Sequence, residues 1–84
     1  MLSVFKFPVG VGDSVLMPVG AKILSVQVQR GVPCLWALCD PEARLVRRSL
    51  KVYGTGHPVP DNPGTFVGTF QLDDRLVFHV FDEG

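Results

Sequence analysis

Residues 21–39 read AKILSVQVQRGVPCLWALC, and this stretch decides the fold. Within it, alternate positions of residues 24–28 are apolar, which is the period-two pattern of a strand with one buried face. Arg30 and Gly31 then predict a tight turn, so that CLWALC returns as the second strand of a hairpin. Because CLWALC is apolar on both faces, we expect it at the centre of a sheet or against another subunit.

Short apolar runs also flank this hairpin. LSVFKFPV and SVLMP predict two strands before it, with a turn at GVGD, residues 10–13. TFVGTFQL and RLVFHVFDE predict a second hairpin, which turns at Asp73-Asp74. Gly68, inside the first of these two strands, indicates a bulge or a close backbone approach.

The segment DPEARLVRRSLKVYG is the one ambiguous piece. Asp40-Pro41-Glu42 could begin a helix, with Asp as N-cap and Pro at the first helical position. The apolar residues after it do not keep a helical period, and Val52 and Tyr53 favour a strand. We therefore predict a turn at 40–43 and a strand over 46–53.

Together these patterns predict six to seven short strands and no helix. The fold class is all-β, an antiparallel β-sandwich or a small barrel, formed by residues 1–84 as a single domain.

Composition limits the classes of function. Apolar residues make up 46% of the 84 residues, a high share for so small a domain, so we expect a homodimer that buries part of them. The net charge of zero argues against a nucleic-acid partner. The sequence has no apolar run of about 20 residues for a membrane span and no signal peptide. Cys34 and Cys39 would lie on opposite faces of a strand as reduced thiols, so we expect a cytoplasmic protein in a bacterial host.

The loop GTGHPVPDNPG, residues 54–64, has two interpretations. Its Gly-Thr-Gly start resembles a phosphate cradle, but Pro58 and Pro60 prevent the helix that such a motif requires. It is then a stiff surface connection, or a recognition loop in which Thr55 and His57 bind a ligand or partner.

Four basic residues form the best polar candidate for binding an anion or a partner: Arg44, Arg47, Arg48 and Lys51. On a strand they divide between its two faces, so a charged edge strand that resists aggregation is the alternative interpretation.

No pattern in the sequence supports catalysis, a metal site or a cofactor. The serines lack a nucleophile-elbow pattern, and His57 and His79 have no partners at a zinc-ligand spacing. We therefore predict a non-enzymatic protein. Trp36, Tyr53 and His79 are the predicted interface residues, with a core position as the alternative for Trp36.

Four segments, GAKILSVQVQRGVPCLWALCDP, VYGTGHPVPDNPG, FVGTFQ and LVFHVFDE, follow one another in a characteristic order. In this they resemble a small uncharacterised domain family of tailed phages and bacterial prophages. The resemblance implies a phage or prophage setting and no known activity.

Three hypotheses of function follow. The first is a phage accessory protein that acts as a protein-interaction module on a host or phage protein, as an antagonist of host defence does. The second is a homo-oligomer that sequesters a small anionic ligand such as a nucleotide signal. The third is a minor structural component of the virion.

Overall fold

A computed structural model describes residues 1–9 and 14–84, and in them the chain forms seven strands and no helix. The strands are β1 (Ser3–Pro8), β2 (Ser14–Pro18), β3 (Lys22–Gln29), β4 (Val32–Cys39), β5 (Leu45–Gly54), β6 (Thr65–Leu72) and β7 (Leu76–Asp82). The all-β class is thereby confirmed, as are the turn before β5 and the hairpin at Asp73-Asp74. The turn expected at residues 10–13 lies outside the described part of the chain.

The strands form two antiparallel sheets. The first sheet has the order β1-β4-β3 and the second the order β2-β5-β7-β6. The two sheets remain separate and do not close into a barrel, so of the two predicted architectures the sandwich is the one adopted. None of the described residues belongs to a helix that could cross a membrane.

β4 lies at the centre of the first sheet, as its sequence predicts. Leu35 on β4 is opposite Phe7 on β1 and Val26 on β3. Leu35 and Cys39 point into the core, while Cys34 is buried on the other side of the strand, and both cysteines are free thiols. Both edges of this central strand are paired with neighbours and its inner side faces the core, in agreement with its apolar character.

The buried core lies between the two sheets. Its side chains are Met17, Ala21, Val26, Leu35, Ala37, Cys39, Leu50, Phe70 and Val80. Each strand of the second sheet supplies at least one of them, so alternation along those strands fixes which residues face solvent.

The alternation predicted for β3 is wrong at Leu24. A bulge between Ile23 and Ser25 shifts the register, so that Ile23 and Val26 face the core. Leu24 is instead 48% exposed. An extra residue in one strand reverses the faces beyond it, and nothing in a period-two pattern signals such an insertion.

The two sheets approach each other closely at Gly68. β6 is irregular between Phe66 and Gly68, and a Cβ on Gly68 would lie 2.9 Å from Cγ1 of Val26 on β3. Both roles predicted for this glycine, a bulge and a close approach, are therefore confirmed.

β5 is the longest strand and connects two neighbours. Its first half pairs with β2, with Leu45 opposite Pro18, and its second half pairs with β7, with Leu50 opposite Asp82. Residues 55–64 then connect β5 to β6, which lies on the far side of β7. The loop therefore starts at one end of β7 and finishes at the other.

Candidate functional site

The solvent-facing side of the second sheet carries the largest group of predicted site residues. Because Leu50 and Val80 are buried, the alternate residues of β5 and β7 point away from the core. We call this surface the aromatic face, and it consists of Lys51, Tyr53, Thr55, Phe66, Thr69, His79 and Phe81. All of its residues are exposed or half-buried, and none is buried.

Three aromatic rings occupy the middle of the aromatic face. Phe81 packs edge-on against Tyr53, with 5.8 Å between ring centroids, and edge-on against Phe66, with 5.5 Å. Phe66 is opposite Phe81 in the register and remains 56% exposed. Edge-to-face packing of this kind holds the rings in fixed orientations without burying them.

His79 is held between two threonine hydroxyls on the same face. Its Nε2 lies 2.8 Å from Thr55 Oγ1 and its Nδ1 lies 2.9 Å from Thr69 Oγ1. Thr55 Oγ1 also donates to the Val77 carbonyl oxygen at 3.2 Å, so it accepts from Nε2–H of the ring. The two contacts fix the plane of the imidazole between Thr55 and Thr69.

The predicted basic cluster is divided by the fold. Arg47 and Lys51 are on the outer side of β5, and Arg47 donates to Ser14 Oγ at 3.4 Å. Arg48 is on the inner side, the side of buried Leu50. Arg44 precedes β5 and is exposed, with its carbonyl oxygen accepting from Val19 N–H.

Arg48 forms a salt bridge at the edge of the core. Its Nε and Nη2 donate to the two carboxylate oxygens of Asp82 at 3.1 and 2.7 Å, and its Nη1 donates to the Ala21 carbonyl oxygen at 2.8 Å. The two side chains are 19% and 11% exposed. The guanidinium bonds both oxygens of one carboxylate with little access to water. Arg48 thereby joins β5, β7 and the start of β3.

Trp36 lies away from the aromatic face. It is half-buried on the outer side of the first sheet, where the Lys6 amine lies 5.9 Å from the ring centroid. Lys6 also donates to Gln29 Oε1 at 2.6 Å. The three predicted interface residues are therefore not on one surface: Tyr53 and His79 share the aromatic face, and Trp36 is on the opposite side of the sandwich.

His57 lies beside a small cleft at the start of β7. A turn closed by His57 N–H donating to the Gly54 carbonyl oxygen, at 3.0 Å, brings the imidazole against Gly54. The cleft has a volume of about 120 Å³, and Thr55 and Arg75 also line it. The basic residue beside His57 is thus Arg75, from the turn before β7, and not one of the predicted residues of β5.

A second cleft, of about 460 Å³, lies between the start of β3 and the start of β6. Lys22, Leu24 and Phe66 line it, together with the paired Arg48 and Asp82. Its arginine already donates to acceptors within the chain. Among the residues that the structure describes, no three His, Cys, Asp or Glu side chains are grouped closely enough to hold a metal ion.

Sequence reasoning missed Phe66, Thr69, Phe81 and Arg75. Thr69 and Phe81 could have been found once β6 and β7 were paired as a hairpin, because they occupy the same side as His79. Phe66 could not, because its alternation with Gly68 and Phe70 predicts a core position, and only the bulge between Phe66 and Gly68 turns it to the outer side. Nothing in the sequence indicated Arg75, because only the pairing of β5 with β7 brings His57 close to it.

Comparison with known proteins gives a match to a family model. The family model described as a domain of unknown function, DUF7352, matches residues 1–84. The chain belongs to this family. The predicted resemblance to an uncharacterised domain family is confirmed at that level. No curated protein and no solved structure matches the chain.

Proposed function

We propose that this member of the DUF7352 family is a non-enzymatic interaction module that binds another protein through the aromatic face. The observation that carries the proposal is the trio of Tyr53, Phe66 and Phe81, with Phe66 56% exposed, in the middle of a sheet face without a buried residue. Aromatic side chains are enriched at the centres of protein interfaces and among the residues that dominate binding.

The aromatic face is also ordered before any partner arrives. Phe81 contacts both other rings, and His79 is bonded on both of its ring nitrogens. Side chains that are already fixed lose little conformational entropy on binding, so a larger share of the contact energy appears as affinity.

Charges around the trio indicate the chemistry of the partner. Lys51 is opposite Phe81, and Arg47 and Ser49 lie on the same outer side of β5 as Lys51. The nearby acid, Glu83, accepts a hydrogen bond from the Ser49 hydroxyl at 2.5 Å. The partner that fits is a protein surface with an apolar centre and carboxylates beside it, because opposite charges improve both encounter and register.

The setting we propose for this interaction is the cytoplasm of a bacterium. The resemblance of the chain to phage and prophage sequences supports an accessory role there, with a host or phage protein as the partner. Antagonism of a host-defence component is a role of this kind. We also propose that the protein is a homodimer, because a single chain leaves many large apolar side chains exposed.

Capture with matched variants tests the proposal. The wild-type protein, Phe66→Ser and Val4→Ser are each immobilised and exposed to lysate of a bacterium that carries the gene, and the retained protein is then purified for affinity measurement. Val4 is the control because it is 55% exposed, like Phe66, but lies on β1 of the first sheet. Loss of an aromatic anchor costs about 2 kcal/mol or more, so we expect Phe66→Ser to weaken binding about thirtyfold and Val4→Ser to leave it unchanged.

Two outcomes would contradict the proposal. One is a wild-type protein that retains no binding partner, and the other is a partner bound equally by wild type and Phe66→Ser. Light scattering on the same three proteins reports self-association. If the wild type is a dimer that Phe66→Ser dissociates, the partner on the aromatic face is a second copy of the chain.

A further inference from the structure

The small cleft at the start of β7 has a shape that depends on one glycine. The turn from Gly54 to His57 has Gly56 at φ +86°, and it folds the imidazole back onto Gly54. A Cβ on Gly54 would lie 2.9 Å from His57 Nδ1. The ring can therefore occupy this position only because residue 54 has no side chain.

Two side chains that can donate hydrogen bonds line this cleft, and neither is bonded to an acceptor among the described residues. Neither the Arg75 guanidinium nor the His57 imidazole has a hydrogen bond or ion pair to any residue that the structure describes. Asp73 and Asp74 adjoin Arg75 in sequence, yet neither pairs with it. Arg48, by contrast, donates three hydrogen bonds within the fold.

The volume and the donors together indicate a ligand class. The cleft of about 120 Å³ is half-open to solvent and has room for a tetrahedral phosphate group. Guanidinium groups bind phosphate oxygens through two parallel N–H donors, and an imidazole adds another donor. Gly54 and Thr55 also line the cleft.

We propose that this cleft binds the phosphate group of a small molecule, held by Arg75 and His57. The site adjoins the aromatic face at Thr55, but Arg75 and His57 lie outside that face, so it is a binding activity beyond the proposed protein interaction. The remainder of a phosphorylated ligand would extend into solvent, past Leu76, which is 49% exposed.

Thermal unfolding with inorganic phosphate and with AMP tests this site, at ionic strength matched with sodium chloride. Wild type, Arg75→Gln, His57→Gln and Arg30→Gln are compared. Arg30 is an exposed arginine in the β3–β4 turn, so Arg30→Gln controls for the loss of one positive charge. At about ten times Kd a ligand raises the folded-to-unfolded ratio about elevenfold, which shifts the Tm of a domain of this size by several degrees.

We expect phosphate to raise the Tm of wild type and Arg30→Gln, and to bind Arg75→Gln and His57→Gln at least about tenfold more weakly. A parallel NMR titration should shift the amide signals of Gly54, Thr55 and His57 in wild type. Tighter binding of AMP than of inorganic phosphate would identify a nucleotide as the source of the phosphate group.

No stabilisation of wild type beyond the chloride control, or equal stabilisation of Arg75→Gln, would overturn the proposal. Because Phe66→Ser leaves the cleft intact, loss of protein binding and loss of phosphate binding are separately measurable.

Discussion

Arg48 and Arg75 lie at opposite ends of β7 and have opposite surroundings. At the C-terminal end, Arg48 pairs with Asp82, and the two side chains are 19% and 11% exposed. At the N-terminal end, Arg75 is exposed beside His57 and has no acceptor among the described residues. The same residue type thus joins three strands at one end and offers free donors at the other.

The difference follows from burial. A charge that leaves water must find a partner of opposite sign and fill its remaining hydrogen bonds, so Arg48 is bonded to Asp82 and to the Ala21 carbonyl. A charge that stays in water has no such requirement. A cluster of basic residues in a sequence is therefore a weak guide to binding, because its members can be divided between these two situations.

Removal of Asp82 should have the largest effect on stability. Asp82→Leu leaves the Arg48 guanidinium nearly buried without its partner, and we expect the free energy of unfolding to fall by about 3 kcal/mol. Urea unfolding measures this change. In Arg48→Met/Asp82→Leu no unpaired charge remains, so the double variant should be more stable than Asp82→Leu alone. Additive costs for the two substitutions would show that the salt bridge contributes little.

Gly64, which packs against the same end of β7, should show the next largest effect. It has φ +96°, and a Cβ there would overlap the Asp82 carbonyl oxygen. Gly31 is the matched control, because it has φ +78° with nothing within 4 Å of the added Cβ.

We expect Gly31→Ala to cost about 1 kcal/mol for the left-handed backbone alone, and Gly64→Ala to cost about 1–2 kcal/mol more because of the overlap. Thermal or urea unfolding of both variants gives the comparison. Equal losses would mean that the backbone near Asp82 moves aside at little cost.

The strands were predictable because their signals are local. Alternating apolar residues and turn-forming pairs such as Arg30-Gly31 predicted the strand sequence, and Arg30 and Gly31 do adopt φ of 52° and 78°. The bulge that exposes Leu24 was not predictable, because it depends on packing against β4. Sheet order was also beyond a local pattern, since it depends on pairings far apart in the chain.

The candidate sites divide in the same way. Tyr53 and His79 were predicted as interface residues, and the structure places them directly opposite each other on β5 and β7. Arg48 and Arg75 could not be distinguished in the sequence. Arg48 faces Asp82 and Arg75 faces solvent, and this difference is set by the pairing of β5 with β7.

The smallest effect should come from Arg75 itself. Its exposed side chain has no partner in the described part of the chain, so Arg75→Gln should change the free energy of unfolding by less than about 0.5 kcal/mol when phosphate is absent. Arg48→Gln, which leaves Asp82 without its ion pair, should lose about 2 kcal/mol or more under the same conditions. Urea unfolding of both variants in a phosphate-free buffer makes this comparison. If Arg75→Gln were as destabilising as Arg48→Gln, Arg75 would be a second structural arginine, and its donors would not be free for a ligand.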